Sequence, residues 1–87
     1  MKNFTKNKTC LTTKLDGRMI ILDTETGIYF EINETGTLIW DLLNRSKSRE
    51  KIIEKIMIEF NATEDEIARD VDNFLNMCIE KGLISAE

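Results

Sequence analysis

The sequence predicts an α+β domain in which a three-stranded antiparallel sheet is followed by three helices. Two observations support this prediction. Short segments rich in threonine and isoleucine, separated by turn signals, occupy the part of the chain before residue 33. From residue 33 onward, apolar residues recur at helical spacing in three successive stretches. A chain of 87 residues with 41% hydrophobic and 32% charged residues is typical of one globular domain.

Three strands are predicted, at residues 9–15, 19–23 and 28–32. The first is rich in threonine, and the second is a nearly continuous apolar run. Turn signals at Asp16-Gly17 and at Gly27 separate the strands and favour an antiparallel meander. Along the third strand, Tyr29 and Glu31 share one face. The other face is apolar and consists of Ile28, Phe30 and Ile32.

Three helices are predicted after the strands, and each opens with a residue that can cap a helix. These capping residues are Asn33, Ser48 and Thr63. The polar residues 44–47 separate the first helix from the second, and Glu66 completes a capping box in the third. Gly82 is placed to end the last helix in the left-handed backbone conformation, so that Leu83 and Ile84 fold back onto that helix.

Charge is unevenly distributed along the chain. Residues 1–15 carry four lysines and no acidic residue, whereas the whole chain has a net charge of −4. We predict a flexible, basic and solvated arm at residues 1–7, followed by a folded domain at residues 8–87. The net negative charge argues against nucleic-acid binding, which requires a basic face that neutralises phosphates.

Groups that commonly carry out catalysis or bind metals are scarce. The chain has no histidine, which removes the commonest general base and metal ligand. Cys10 and Cys78 are predicted to be reduced thiols, and the acidic run 64–66 is explained by its position at a helix start. We therefore predict no enzyme activity, no metal site and no cofactor. Because no apolar run suits a membrane span or a signal peptide, we expect a cytoplasmic protein.

The third predicted strand lies at an edge of the sheet and lacks the residues that normally discourage further pairing. The first strand is protected by Lys8 before it and Lys14 within it, but residues 28–32 contain neither lysine nor proline. Either a helix covers this edge or a partner uses it, and the pattern leaves both alternatives open. If the edge is open, an extended peptide can add to it as another strand.

The third predicted helix is the natural wall of a groove beside this edge. Its boundary positions recur at intervals of three and four residues and are Asp70, Asn73, Phe74 and Met77. Phe74 and Met77 are expected primarily in the core, although methionine also suits a groove that adapts to its ligand. Residues 63–82 contain six acidic side chains and two basic ones, which favours a peptide with basic residues.

One run of residues resembles a known family. Residues 32–40, INETGTLIW, resemble the signature L-N-x-T-G-x-x-I-W of the PqqD-like family, with Ile32 in place of the preferred leucine. Further segments of that family are matched, in order and spacing, by residues 21–23, 27–30, 72–75 and 81–84. Members of the family are recognition elements for ribosomally synthesised, post-translationally modified peptides (RiPPs). The resemblance implies a winged helix-turn-helix-like fold and a non-catalytic role.

The resemblance also implies where a peptide would bind, because family members hold a leader peptide as an added strand beside the third strand and third helix. In this chain the pairing edge would consist of Ile28, Tyr29, Phe30 and Glu31. Phe74 and Met77 would form the apolar floor of a pocket. Asp70 and Asn73 would make polar contacts at its rim. Residues of the signature that we interpret as structural are Asn33, Gly36 and Trp40.

Within the family, the short chain and its aromatic third strand resemble the small leader-binding proteins of lasso-peptide pathways. Its partners would then be a precursor peptide, a cysteine protease and a cyclase. The alternative is a peptide chaperone for a radical SAM enzyme in quinone-cofactor synthesis. Two less favoured alternatives are a structural subunit of a larger complex and a winged-helix nucleic-acid binder, against which the acidic third helix argues.

Overall fold

The computed structural model describes residues 3–44 and 48–86 of the chain. The strands are β1 (Phe4–Lys6), β2 (Cys10–Leu15), β3 (Arg18–Asp23), β4 (Ile28–Ile32) and β5 (Ile84–Ala86). The helices are α1 (Glu34–Leu42), α2 (Arg49–Glu59) and α3 (Glu64–Glu80). The predicted α+β fold, with three antiparallel strands followed by three helices, is confirmed by β2–β4 and α1–α3. Of the predicted polar break, residues 45–47 lie outside the described residues.

The strands β2, β3 and β4 form one antiparallel sheet in that order, joined by two short hairpins. In the first hairpin, Asp16 and Gly17 form a two-residue turn, and both have a positive φ. Such angles give the turn a twist that matches the strands on either side. In the second hairpin, Gly27 has a φ of 74°. Together the turns fix a register in which Ile21 of β3 lies opposite Phe30 of β4.

One face of this sheet packs against α1, and α2 and α3 pack against α1 and against each other. The sheet contributes Met19, Ile21 and Ile32 to the core, and all three are buried. The helices contribute, among others, Ile39, Trp40, Ile52, Ile56, Val71 and Leu75. The apolar residues of the three helices therefore face one common core, as their helical spacing predicts.

Each helix begins at the capping residue that the sequence predicts. A side-chain oxygen accepts a hydrogen bond from the backbone N–H three residues later at Asn33, Ser48 and Thr63. Each cap satisfies an N–H group that the helix itself leaves unpaired. At the other end of α3, Gly82 has a φ of 75°, and Leu83 donates its N–H to the Cys78 carbonyl at 2.8 Å. The chain thus turns back and buries Leu83 and Ile84.

The N-terminal residues differ from the flexible arm predicted at residues 1–7. Phe4–Lys6 form β1, which pairs antiparallel with β5, and the Phe4 side chain is only 5% exposed. Lys6 Nζ lies 4.7 Å from the centroid of the Trp40 ring, and burial lowers the pKa of Lys6. Because burial of an aromatic side chain anchors this segment, the prediction of a solvated arm is wrong for residues 4–6. Residues 1 and 2 lie outside the described residues.

An ion pair joins the start of α2 to the middle of α3. The Nε and Nη2 atoms of Arg49 donate to the two carboxylate oxygens of Asp72, at 2.6 and 3.0 Å. This charge-assisted hydrogen bonding lowers the pKa of the Asp72 carboxyl. A carboxyl whose pKa is lower in the folded than in the unfolded chain stabilises the fold above the unfolded pKa, which is about 3.9. That stabilisation is lost as the pH falls through the folded value.

Replacing Asp72 with asparagine should therefore weaken the fold in a pH-dependent way. We expect Asp72→Asn to lower the free energy of unfolding by about 0.5–1 kcal/mol at pH 7, a range that allows for the solvent exposure of the pair. The difference from the wild type should shrink as the pH falls below about 4. Urea unfolding at a series of pH values measures it. Glu54→Gln, which removes an exposed pair with Lys51, is the control and should have a smaller effect. A loss that does not change with pH would contradict this account.

Candidate functional site

β4 is an edge strand of the three-stranded sheet. It pairs with β3 on one side, and no strand of residues 3–44 or 48–86 pairs with its other side. Ile28 and Tyr29 at the start of β4 are 53% and 69% exposed, whereas Ile32 at its end is buried. Natural edge strands are usually protected by lysine, proline or a bulge, and β4 contains neither lysine nor proline. These features favour the interpretation of β4 as an open edge.

A pocket of about 320 Å³ lies between the start of α1 and the middle of α3. We call it the first pocket, and it is lined by Asn33, Thr35, Gly36, Ile39, Asp70, Asn73 and Phe74. Three of the predicted site residues come together here, namely Asp70, Asn73 and Phe74. The first pocket adjoins the end of β4, because Asn33 follows directly on Ile32 and caps α1. An open strand edge therefore leads into a concave site.

The other predicted site residues lie outside the first pocket. Ile28–Glu31 form most of the edge strand β4, and Phe30 is half-buried against the core. Met77 lies about one helical turn beyond Phe74 on α3 and is also half-buried against the core. Phe74 itself both packs on the core and lines the first pocket. A position in the core and a position in the groove are therefore compatible for this residue.

Gly36 allows α1 to approach both β4 and α3 closely. A Cβ atom on Gly36 would lie 2.7 Å from Ile32 Cγ2 and 2.9 Å from Phe74 Cε1. Both distances are well inside van der Waals contact, so any side chain here would displace one of these neighbours. The N–H of Gly36 also donates to Asn33 Oδ1 at 2.8 Å, which completes the cap of α1. Gly36 thus has the structural role expected from the sequence and forms part of the pocket wall as well.

Four residues of the first pocket are absent from the predicted site, namely Asn33, Thr35, Gly36 and Ile39. All four belong to the run that caps and begins α1. A glycine in the first turn of a helix is unfavourable for the helix itself, and such a residue often marks a close approach. The glycine was therefore the signal in the sequence that pointed to this wall of the pocket.

One acidic side chain, that of Asp70, lines the first pocket. Glu66 lies one helical turn before Asp70 on α3. In the described part of the chain, no lysine or arginine lines the pocket. The charge of Asp70 therefore favours a basic group at this pocket. The attraction between exposed charges is screened beyond about 8 Å at physiological ionic strength.

Within residues 3–44 and 48–86, no group of three His, Cys, Asp or Glu side chains is placed to hold a metal ion. Burial raises the pKa of the Cys78 thiol to about 12 and also raises the pKa of Cys10. Neither thiol is an activated nucleophile near neutral pH. The helices in this part of the chain are too short or too polar to cross a membrane.

Cys78 should resist labelling with a disulfide reagent while the protein is folded. With a pKa of about 12, only about one thiol in ten thousand is ionised at pH 8, and the side chain is buried. In the Cys10→Ser variant, the remaining Cys78 should therefore react only as fast as the protein opens. The Cys78→Ser variant should react faster, through the half-buried Cys10. In concentrated urea, both variants should react rapidly. Rapid labelling of Cys78 in the folded protein would contradict the burial described here.

Two solved structures share this fold over nearly the whole chain. TbiB1 in complex with the TbiA(beta) leader peptide has a TM-score of 0.85 and 27% sequence identity, and the match covers 93% of this chain and 94% of that chain. A lasso peptide synthetase B1 complexed with the leader peptide also has a TM-score of 0.85, with 22% identity and coverage of 95% of this chain and 98% of that chain. Comparison with curated proteins finds no significant match.

The family profile of coenzyme PQQ synthesis protein D (PqqD) matches residues 18–84. This segment is most of the chain and runs from the start of β3 to the start of β5. It includes β4, all three helices and every residue that lines the first pocket. The resemblance seen in residues 32–40 is thereby confirmed over a much longer stretch. The chain belongs to the PqqD family and, as predicted, is a recognition element and not an enzyme.

Proposed function

We propose that this chain is an adaptor that holds the leader segment of a ribosomally synthesised precursor peptide and delivers it to separate processing enzymes. The observation that carries the proposal is the unpaired edge of β4, which ends beside the first pocket. A peptide that adds to this edge gains main-chain hydrogen bonds from the strand. Contacts of its side chains with the pocket then provide specificity.

Each part of the candidate site has a distinct role in this proposal. The leader pairs as a new strand with Ile28, Tyr29, Phe30 and Glu31. Phe74 and Met77 supply apolar contacts from α3, and both are half-buried in the free protein. Asp70 and Asn73 are exposed on the same helix and make polar contacts. Similarity to TbiB1, which was solved with the TbiA(beta) leader peptide, supports this arrangement.

We further propose that the chain acts in a lasso-peptide pathway in the cytoplasm, with a cysteine protease and a cyclase as its enzyme partners. The name of one similar structure, a lasso peptide synthetase B1 complexed with the leader peptide, supports the pathway. The alternative is a peptide chaperone for a radical SAM enzyme, which the description of the family as a coenzyme PQQ synthesis protein favours. Co-purification of the tagged chain with each candidate enzyme, in the presence of the leader peptide, distinguishes the two.

A labelled leader peptide tests the proposed function directly. The probe is a synthetic, fluorescein-labelled leader from the precursor gene that neighbours the gene of this chain. We expect a saturable rise in fluorescence anisotropy with one peptide bound per chain. A scrambled peptide of the same composition is the matched control, because it keeps the charge and loses the order of residues. No saturable binding, or equal binding of the scrambled peptide, would overturn the proposal.

A further inference from the structure

We propose that a second pocket, continuous with the first, binds one aliphatic side chain of the leader peptide, and that Asp70 between the two pockets binds a lysine or arginine of the same peptide. This inference rests on the proposed function. The second pocket has a volume of about 120 Å³ and lies where the end of α2 meets the starts of α1 and α3. It is lined by Thr35, Ile56, Phe60, Ala62, Ile67 and Asp70.

The two pockets form one continuous surface. Thr35 and Asp70 line both of them, one from the first turn of α1 and the other from α3. A peptide that lies along β4 and continues past its end therefore meets the first pocket, then this pair of residues, and then the second pocket. The continuity makes the leader peptide itself the occupant that the second pocket fits.

The lining of the second pocket selects an aliphatic side chain. Its floor consists of Ile56 and Ile67, which are both buried, and its wall is the ring of Phe60, which is 38% exposed. Phe60 is the C-cap of α2, directly after Glu59. Its volume of about 120 Å³ is small, which favours a valine, leucine or isoleucine over a bulky aromatic side chain. Burial of such a side chain also covers the Phe60 ring, which is favourable on both sides of the contact.

The charge between the pockets selects a basic residue. Asp70 is exposed, and the ion pairs found within residues 3–44 and 48–86 involve other carboxylates. Glu66 lies one helical turn before Asp70, so the same side of α3 carries a second negative charge. In the described residues, no basic side chain lines either pocket. A lysine or arginine between the two anchoring side chains therefore complements this surface.

Two variants test the two parts of the inference with the same labelled leader. Asp70→Asn should raise the Kd about two- to fivefold, the range expected of an exposed ion pair. Replacing one particular lysine or arginine of the leader with alanine should have the same effect on the wild type and little further effect on Asp70→Asn. Ala62→Trp, which fills the second pocket from its exposed mouth, should raise the Kd about tenfold or more through loss of one buried aliphatic side chain.

The control is Asp65→Asn, which makes the same change of charge on α3 at a residue that lines neither pocket. It should bind the leader as the wild type does, and circular dichroism checks that Ala62→Trp is folded. If the wild type binds the leader and either Asp70→Asn or Ala62→Trp binds it equally well, the inference is wrong and the proposed function stands. If the wild type shows no saturable binding, the proposed function fails and the inference fails with it.

Discussion

Proline at one of the two central positions of β4 should remove most of the leader binding and leave the protein folded. Successive N–H groups of a strand point to opposite sides, so one of Tyr29 and Phe30 donates toward β3 and the other toward the open edge. Proline at the outward-facing position removes a donor to the added strand and places its ring in the path of that strand. Loss of this hydrogen bond and of the close fit around it should raise the Kd about tenfold or more.

The comparison of Tyr29→Pro with Phe30→Pro identifies which position faces outward. The inward variant loses a hydrogen bond to β3 and should unfold at a lower urea concentration, so circular dichroism and urea unfolding select the folded variant. Proline substitutions at Thr12 and Thr13 of β2, on the opposite edge of the same sheet, are the matched controls. Folded controls should bind the leader normally. Wild-type affinity in the folded β4 variants would show that the leader does not use this edge.

Gly36→Ala should lower the free energy of unfolding by about 1–3 kcal/mol, the usual range for overpacking a core. A loss of stability is unusual for this substitution, because replacing glycine with alanine inside a helix ordinarily stabilises the helix by about 1 kcal/mol. The added methyl group would lie 2.7 Å from Ile32 Cγ2 and 2.9 Å from the ring of Phe74, so α1 or the ring must move. Because Phe74 lines the first pocket, the same variant should also bind the leader more weakly. Urea unfolding and the anisotropy titration measure the two effects.

The steric origin of the effect of Gly36→Ala can be tested by removing a neighbour. Ile32→Leu lacks the γ2 methyl group that the new alanine would contact. The double variant Ile32→Leu/Gly36→Ala should therefore lose less free energy of unfolding than the sum of the losses in the two single variants. Glu34→Ala, at an exposed position in the same turn of α1, is the control for the substitution itself and should change stability much less. Strict additivity of Ile32→Leu and Gly36→Ala would show that the contact with Ile32 is not the cause.

The order of the main elements could be predicted because the residues that define it act locally. The caps at Asn33, Ser48 and Thr63 each bond to an N–H three residues away, so a short stretch of sequence contains the whole interaction. Gly27 and Gly82 similarly adopt positive φ angles at the turns where the sequence places them. In such cases no knowledge of distant residues is needed.

The pairing of β1 with β5 could not be predicted in this way. Each strand has three residues, which is too short for a periodic pattern, and the pairing joins Lys6 to Ile84 from the two ends of the chain. The first pocket was predicted in part for a related reason. Helical spacing on α3 identifies Asp70 and Phe74, but the opposite wall depends on how closely α1 approaches. That distance is set by tertiary packing around Gly36, which periodicity does not describe.

The same pairing of β1 with β5 gives the fold a nearly circular chain path. Phe4 lies opposite Ala86, and neighbouring strands in a sheet are about 4.8 Å apart, so a few glycines suffice to join the two ends. The Asp16-Gly17 turn is exposed and is a suitable place to reopen the chain. A circular permutant made in this way keeps β4 and α3 in one uninterrupted segment. The domain can equally be inserted into a surface loop of a host protein, because β1 and β5, which would connect to the host, lie side by side.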